Sequence, residues 1–264
     1  MHIFDRDVSL SQQEPLKFKA NISENWSVDV TPNGGYLMAV LANAMLQLSD
    51  KKTTPIITSH YISRCVPGGA DIFVEEISES NQFNRLQARL FQEGKEKIRM
   101  HGTFAHEIDD CFMKRYETPV PDISPLEECI AIPEIPKFTL LSQLDIRLDP
   151  QCAGWMQGKL SDKSEMKGWI TFKDNRPFDV LSILLIADSF PPPVFASLGM
   201  MAWVPTIEIS VNVRDIPRSR WLKCLFRTRF INCGLLESDG EIWDETNDLV
   251  AISRQIAQFR KTSV

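Results

Sequence analysis

The sequence predicts an α+β protein built from two copies of one unit, each an apolar helix followed by antiparallel strands. A long helix signal at residues 34–50 precedes a series of strand-like segments that runs to about residue 105. The same order returns in the second half, from residue 176 onward. The two series are offset by about 150 residues, so that Pro55 and Arg64 correspond to Pro205 and Arg214. An offset of that size indicates a duplicated domain, because solenoid repeats are far shorter.

The first helix reads "GGYLMAVLANAMLQLSD" and opens at Gly34 and Gly35. Leu37, Val40, Leu41, Ala44, Met45 and Leu48 follow a three-and-four spacing, the period of a helix face. Little polar matter interrupts the run, so the helix is expected to be wrapped on most sides. Asn33 stands where an N-cap is needed. "PIITSHYISRCV", "ADIFVEEISES" and "FNRLQARLFQEGKEKIRMHGTFAHE" then read as strands, with "QEGK" as a hairpin turn.

In the second half, "RPFDVLSILLIADSF" reads as an apolar helix with Pro177 in its first turn. "PTIEISVNVR" is a strand, and residues 220–260 form a further strand series with "ESDGE" as a hairpin turn. "LLSQLDIRLDP" and "MKGWITFKD" are the strands that open this unit. Residues 106–138 carry five prolines and many acids, the composition of a linker. The expected division is a first domain over 1–107, a linker over 108–138 and a second domain over 139–264. The two sheets are expected to join edge to edge, since that pairs exposed strand edges.

With 43% hydrophobic and 24% charged residues among 264, the chain is expected to fold as a soluble globular protein. A net charge of −6 leaves no basic footprint, so no nucleic-acid partner is expected. Six scattered cysteines without a C-x-x-C pair suit a reducing, cytoplasmic compartment. "MHIFDRDVSLSQQ" lacks the apolar core of a signal peptide. "VLSILLIA" is far short of a membrane span. No P-loop, G-x-G-x-x-G, G-x-S-x-G or metal-ligand spacing occurs, so neither a cofactor nor a metal is expected.

The helix start "NGGY", the strand end "YISRCVPGG", the strand "TIEISVNVR" and the terminal "LVAISRQIAQF" resemble landmarks of the type II acyl-CoA thioesterases. The resemblance spans nearly the whole chain and keeps the order and spacing of those landmarks. It implies a double hotdog fold, in which each long apolar helix is wrapped by a curved antiparallel sheet. It also implies hydrolysis of acyl-CoA thioesters in fatty acid metabolism. The family's site holds a water with an Asp at the second helix, a Thr on the following strand and a Gln on the last strand. By position these are Asp188, Thr206 and Gln255. The family's first-half histidine is displaced by one position here, at His60, so its role is not carried over. The triple proline Pro191–Pro193 also departs from the better-known members.

Asp188 ends an apolar run, where the dipole of its own helix disfavours a carboxylate by about 0.3–1 kcal/mol. Burial would add to that cost unless the group is partnered, which points to a role in a site. Thr206 alternates with Glu208, Ser210 and Asn212 along its strand, so it reads equally as the start of a polar face. Gln255 shares its face with Ala251, Ser253 and Ala257, small neighbours that suit a cleft or close helix packing. Gly34 and Gly35 could offer helix-start amides to an acyl carbonyl or a phosphate, or simply permit close packing. Arg64 and Arg214 could meet nucleotide phosphates or end their strands in solvent. The prolines forbid helix continuation beyond Asp188. Two other functions compete: a non-catalytic acyl-CoA or lipid binder, and an enoyl-thioester hydratase, which the scarcity of histidine disfavours. A homodimer or higher homo-oligomer is expected to cover the open edges.

Overall fold

The computed structural model describes residues 1–106 and 113–261. The expected boundary at 107/108 and Cys111 lie outside the described residues. The first half contains strands β1 (Leu10–Glu14) and β2 (Lys17–Ile22), helix α1 (Gly34–Leu48), then β3 (Thr53–Tyr61), β4 (Gly68–Glu79), β5 (Phe83–Gln92) and β6 (Lys95–Ala105). The second contains β7 (Ile130–Ala131), β8 (Leu144–Leu148), β9 (Glu165–Phe172), α2 (Val180–Ile186), α3 (Val194–Leu198), β10 (Thr206–Val213), β11 (Leu222–Arg227), β12 (Leu235–Asp244) and β13 (Leu249–Gln258).

These strands form one sheet in the order β1-β2-β4-β5-β6-β3-β10-β13-β12-β11-β9-β8-β7. The halves join edge to edge through the antiparallel pair β3–β10, where Ser59 faces Ile209 and His60 faces Glu208. Outward from that seam, the order β3-β6-β5-β4-β2-β1 is repeated as β10-β13-β12-β11-β9-β8. The duplication inferred from the 150-residue offset is therefore a pseudo-twofold arrangement. Ser59 and Ile209, equated by that offset, face each other where its axis crosses the seam. The chain has the α+β double hotdog architecture, with two helices sharing one long curved floor.

In α1 every residue from Gly35 to Ala42 is buried. The helix packs on β4, β5 and β6 and on α2. A Cβ on Gly35 would stand 2.5 Å from the Leu184 carbonyl oxygen and 2.8 Å from that of Leu185. Glycine is thus required by the close approach of the two helices. The cap at Asn33 forms as expected, its side chain accepting from the Tyr36 amide at 2.9 Å.

The second helix differs from expectation at its start. Asp179 is its N-cap and forms a reciprocal capping box with Ser182, each hydrogen bond 2.8 Å. Pro177 therefore precedes the cap and is not in the first turn. The helix ends at Ile186, and α3 begins only after Pro191–Pro193. Proline has no N–H for the helical ladder, so the second helix is broken where α1 runs on for 15 residues.

"QEGK" makes the β5–β6 hairpin, with Glu93 at φ 51° and Gly94 at φ 71°, as a tight turn with two left-handed residues requires. "ESDGE" is not a turn: it lies inside β12, paired to β11 and β13. Gly240 is small there because the Phe226 ring would stand 2.6 Å from a Cβ. The turns flanking β12 fall instead at Cys233–Gly234 and after Asp244. Of "LLSQLDIRLDP", only Leu144–Leu148 is strand, and Leu140–Gln143 is a short helix. Thr139, just before it, is anchored to the first half, accepting from the Ser27 amide at 3.0 Å. The proline-rich connector also contributes β7, the last strand of the sheet, paired to β8. No helix among the described residues is long and apolar enough to cross a membrane.

Candidate active site

Asp188 follows α2 directly, and its side chain lies against the first turn of α1. Its Oδ2 accepts from the Gly35 amide at 3.1 Å and from Asn33 Nδ2 at 3.2 Å. Its Oδ1 accepts from Gln255 Nε2 at 3.2 Å. Asn33 Nδ2 also holds the Asp188 main-chain carbonyl at 2.6 Å. Asn33 thus caps its own helix with one end of its amide and grips the second-half carboxylate with the other. The carboxylate follows the end of one helix but sits at the positive start of another, where the dipole favours it.

Gln255 Nε2 donates to Thr206 Oγ1 as well as to Asp188. The three side chains singled out in the sequence therefore meet. Thr206 arrives by a route that the simple alternation of its strand contradicts. That alternation places it with Glu208 and Ser210, on the face away from the helices. Instead, Thr206 pairs with Ala257 while Glu208 pairs with Ile256, so Ile207 is an extra residue in a β-bulge. The bulge reverses the phase of the strand and turns Thr206 inward beside Gln255.

Burial dominates the electrostatics of Asp188. The residue keeps some exposed surface, but protein surrounds the carboxylate, and desolvation pushes its pKa up to about 6. Hydrogen bonds from Gly35, Gln255, Gly34 and Asn33 oppose that rise without cancelling it. Tyr61 stands alongside, its hydroxyl donating to the Gly34 carbonyl oxygen at 2.7 Å. Burial, and then the nearby Asp188 charge, hold its phenol well above the usual range, so it remains a neutral donor.

Gly34 is the meeting point of these groups. A Cβ there would lie 2.7 Å from Asp188 Oδ2 and 2.8 Å from the Tyr61 hydroxyl. The Gly35 amide, expected to meet a substrate oxygen, is occupied by Asp188. His60 lies on the opposite face, paired with Glu208 at 3.2 Å and packed edge-on against His101. Tyr61 is the residue that sequence reasoning missed. Its signal was available: it alternates in phase with the buried Ile57 and Ser59 and follows the displaced histidine. Arg64 and Arg214 are exposed at their strand ends. Among the described residues, no group of three or more His, Cys, Asp or Glu is placed to hold a metal.

As chemistry, the cluster offers a carboxylate with a raised pKa, an amide fixed to it and a hydroxyl fixed by that amide. Because Thr206 accepts from Gln255, its own proton is available to a further acceptor. A water or a carbonyl oxygen beside these three groups would find both an acceptor and a donor.

The family model of an acyl-CoA thioesterase N-terminal domain matches residues 22–105, and that of an acyl-CoA thioesterase C-terminal domain matches residues 126–259. Among solved structures, a protein designated thioesterase II from Thermobifida fusca YX is 24% identical, with a TM-score of 0.90 over 99% of this chain and 98% of that one. A hot dog fold protein from Alicyclobacillus acidocaldarius is 17% identical, with a TM-score of 0.90 over 100% of both chains. Acyl-CoA thioesterase II TesB2 from Mycobacterium marinum is 14% identical, with a TM-score of 0.78 over 98% of this chain and 99% of that one. At these identities the likeness is one of fold. The thioesterase-like protein TwmA of Talaromyces wortmannii is 26% identical over 95 residues, which is 35% of this chain and 27% of that protein's length.

Proposed function

Because the chain belongs to the acyl-CoA thioesterase family, we propose that it hydrolyses acyl-CoA thioesters to a free acid and CoA, using a water held by Asp188, Thr206 and Gln255. The observation that supports this reading is the double donation of Gln255 Nε2 to Asp188 and Thr206. In this mechanism Asp188 takes one proton from the water as the water oxygen attacks the thioester carbonyl carbon. Thr206 donates to the oxygen on which negative charge develops, and Gln255 keeps the two groups in register. The tetrahedral intermediate collapses, the C–S bond breaks, and the departing thiolate takes the proton from Asp188. A pKa of about 6 leaves the carboxylate mostly ionised at neutral pH yet more basic than an ordinary one. Gly34 and Gly35 act in this scheme by holding Asp188.

The same proposal includes two hotdog units joined by the proline-rich connector, a cytoplasmic setting and a homo-oligomer covering the sheet edges at β1 and β7. Sedimentation of the purified chain tests the assembly. The activity is tested by thiol release from a panel of acyl-CoAs of short to long chain. Release is expected for some members and is expected to be lost in Asp188→Asn. A panel with no release above background overturns the enzyme reading and leaves the non-catalytic binder.

A further inference from the structure

The sheet face that packs on the helices is mostly apolar, and one line across it collects several polar side chains. Ser59 of β3 faces Ile209 of β10, which faces Gln255 of β13, which faces Ser238 of β12. On the next strand Thr228 follows Arg227, whose partner is Asp239, so Thr228 comes up alongside Ser238. Ser59, Ser238 and Thr228 are 0%, 4% and 8% exposed. Four polar side chains thus share one register line across the floor. The hydroxyl of Thr228 has no hydrogen-bond partner. A buried hydroxyl left unpaired is costly, and native structures seldom leave one without a protein, water or ligand partner.

The rows beside this line are mainly apolar, each with one hydroxyl: Ser253 faces Gly240 on one, and Thr206 faces Ala257 on the other. On one side Phe226 lies over Gly240, and its ring packs on Phe190 at 5.3 Å between centroids. On the other, Val194 packs with Leu236 and Ala257. Neighbouring strands lie about 4.8 Å apart, so Ser238 is about 5 Å and Thr228 about 10 Å from Gln255 across the sheet. An apolar chain laid along this line would meet apolar side chains beside it and the hydroxyls of Ser238 and Thr228 beneath it.

We infer that the acyl group cleaved by this enzyme is oxygenated, carrying a hydroxyl or keto oxygen a few bonds from the thioester carbonyl, and that Ser238 and Thr228 receive that oxygen. This rests on the thioesterase reading, with Gln255 at the reacting carbonyl. An unsubstituted alkyl chain would dry both hydroxyls without pairing them, whereas a hydroxy- or oxo-acyl chain pairs them.

The test compares straight-chain acyl-CoAs with their 3-hydroxy and 3-oxo counterparts of equal length, using the full chain. The oxygenated members are expected to be favoured roughly tenfold or more in kcat/KM. In Thr228→Val and Ser238→Ala, with folding verified by circular dichroism, that ratio is expected to shrink severalfold. A ratio near one in the unmodified enzyme overturns the inference. So do variants that slow both members equally, because the hydroxyls then serve the thiol arm common to all substrates. If no acyl-CoA releases thiol, the thioesterase reading itself has failed. Calorimetric Kd values for the same pairs then decide: tighter binding of the oxygenated members sustains the inference, and equal values overturn it.

Discussion

Asp188, at the end of the second helix, accepts a hydrogen bond from the amide of Gly35, in the first turn of the first helix, at 3.1 Å. The carboxylate comes from one half of the duplication, and the donors Gly35 and Asn33 come from the other. Neither half holds the cluster by itself. Duplication alone would make the two helix ends alike. What separates them is that the second helix ends early, at Ile186, with the prolines beyond it barring its continuation, and Asp188 turns onto the start of α1. The favourable dipole there is worth about 0.3–1 kcal/mol. It does not outweigh burial, because the pKa still rises from 3.8 to about 6.

That rise predicts the acid limb of activity. Protonated Asp188 cannot accept a proton from water, so kcat/KM for acyl-CoA hydrolysis is expected to fall on the acid side with an apparent pKa of about 6. A limb at the ordinary carboxylate value of 3.8 contradicts Asp188 as the base.

The same shift makes a prediction about stability, and its sign is opposite to that of a salt-bridged acid. The folded protein binds this proton more tightly than the unfolded chain does. The contribution of Asp188 is therefore most favourable below its unfolded value of 3.8 and is lost as pH rises through about 6. Asp188→Asn is expected to stabilise the protein by about 1–2 kcal/mol at about pH 8, with a smaller gain at about pH 5. Urea unfolding at the two pH values measures this. An equal gain at both breaks the link to titration.

Gly35→Ala sets two effects against each other. Alanine favours a helix by about 1 kcal/mol over glycine. Its Cβ would stand 2.5 Å from the Leu184 carbonyl oxygen, a backbone atom that can move only with its helix. The clash is expected to win, with a net loss of about 2–3 kcal/mol in urea unfolding. Unchanged stability means that the helices are free to separate.

Thr206→Val preserves the shape and the strand preference but removes the hydroxyl. The fold is expected to persist with activity reduced about tenfold, while Thr206→Ser retains most of it. Full activity in Thr206→Val excludes the hydroxyl from the mechanism and leaves the bulge at Ile207 as a matter of sheet shape alone.

Much of the molecule was legible along the chain. The apolar spacing of α1, its cap at Asn33 and the Pro191–Pro193 break are local effects, set by helical period, capping and the missing proline N–H. "ESDGE" misled because a glycine beside an Asp has the chemistry of a turn, while Gly240 answers to Phe226, a ring on the neighbouring strand. His60 and Tyr61 show how narrow the margin is. They are adjacent in sequence, yet one faces Glu208 on the outside and the other reaches Gly34.

Resemblance to a known family marked Asp188, Thr206 and Gln255, while the sequence pattern itself determined the duplicated order of helix and strands and the apolar face of the first helix. That order and that face depend on hydrophobic period and on neighbours a few residues away. Only the tertiary structure decided that Thr206 faces inward, that Asn33 and Gly35 reach Asp188, and that its carboxyl titrates near 6. One inserted residue in a strand reverses every face beyond it. Desolvation is set by whichever atoms come to surround the group, and those of Asp188 lie on segments more than sixty residues away on either side.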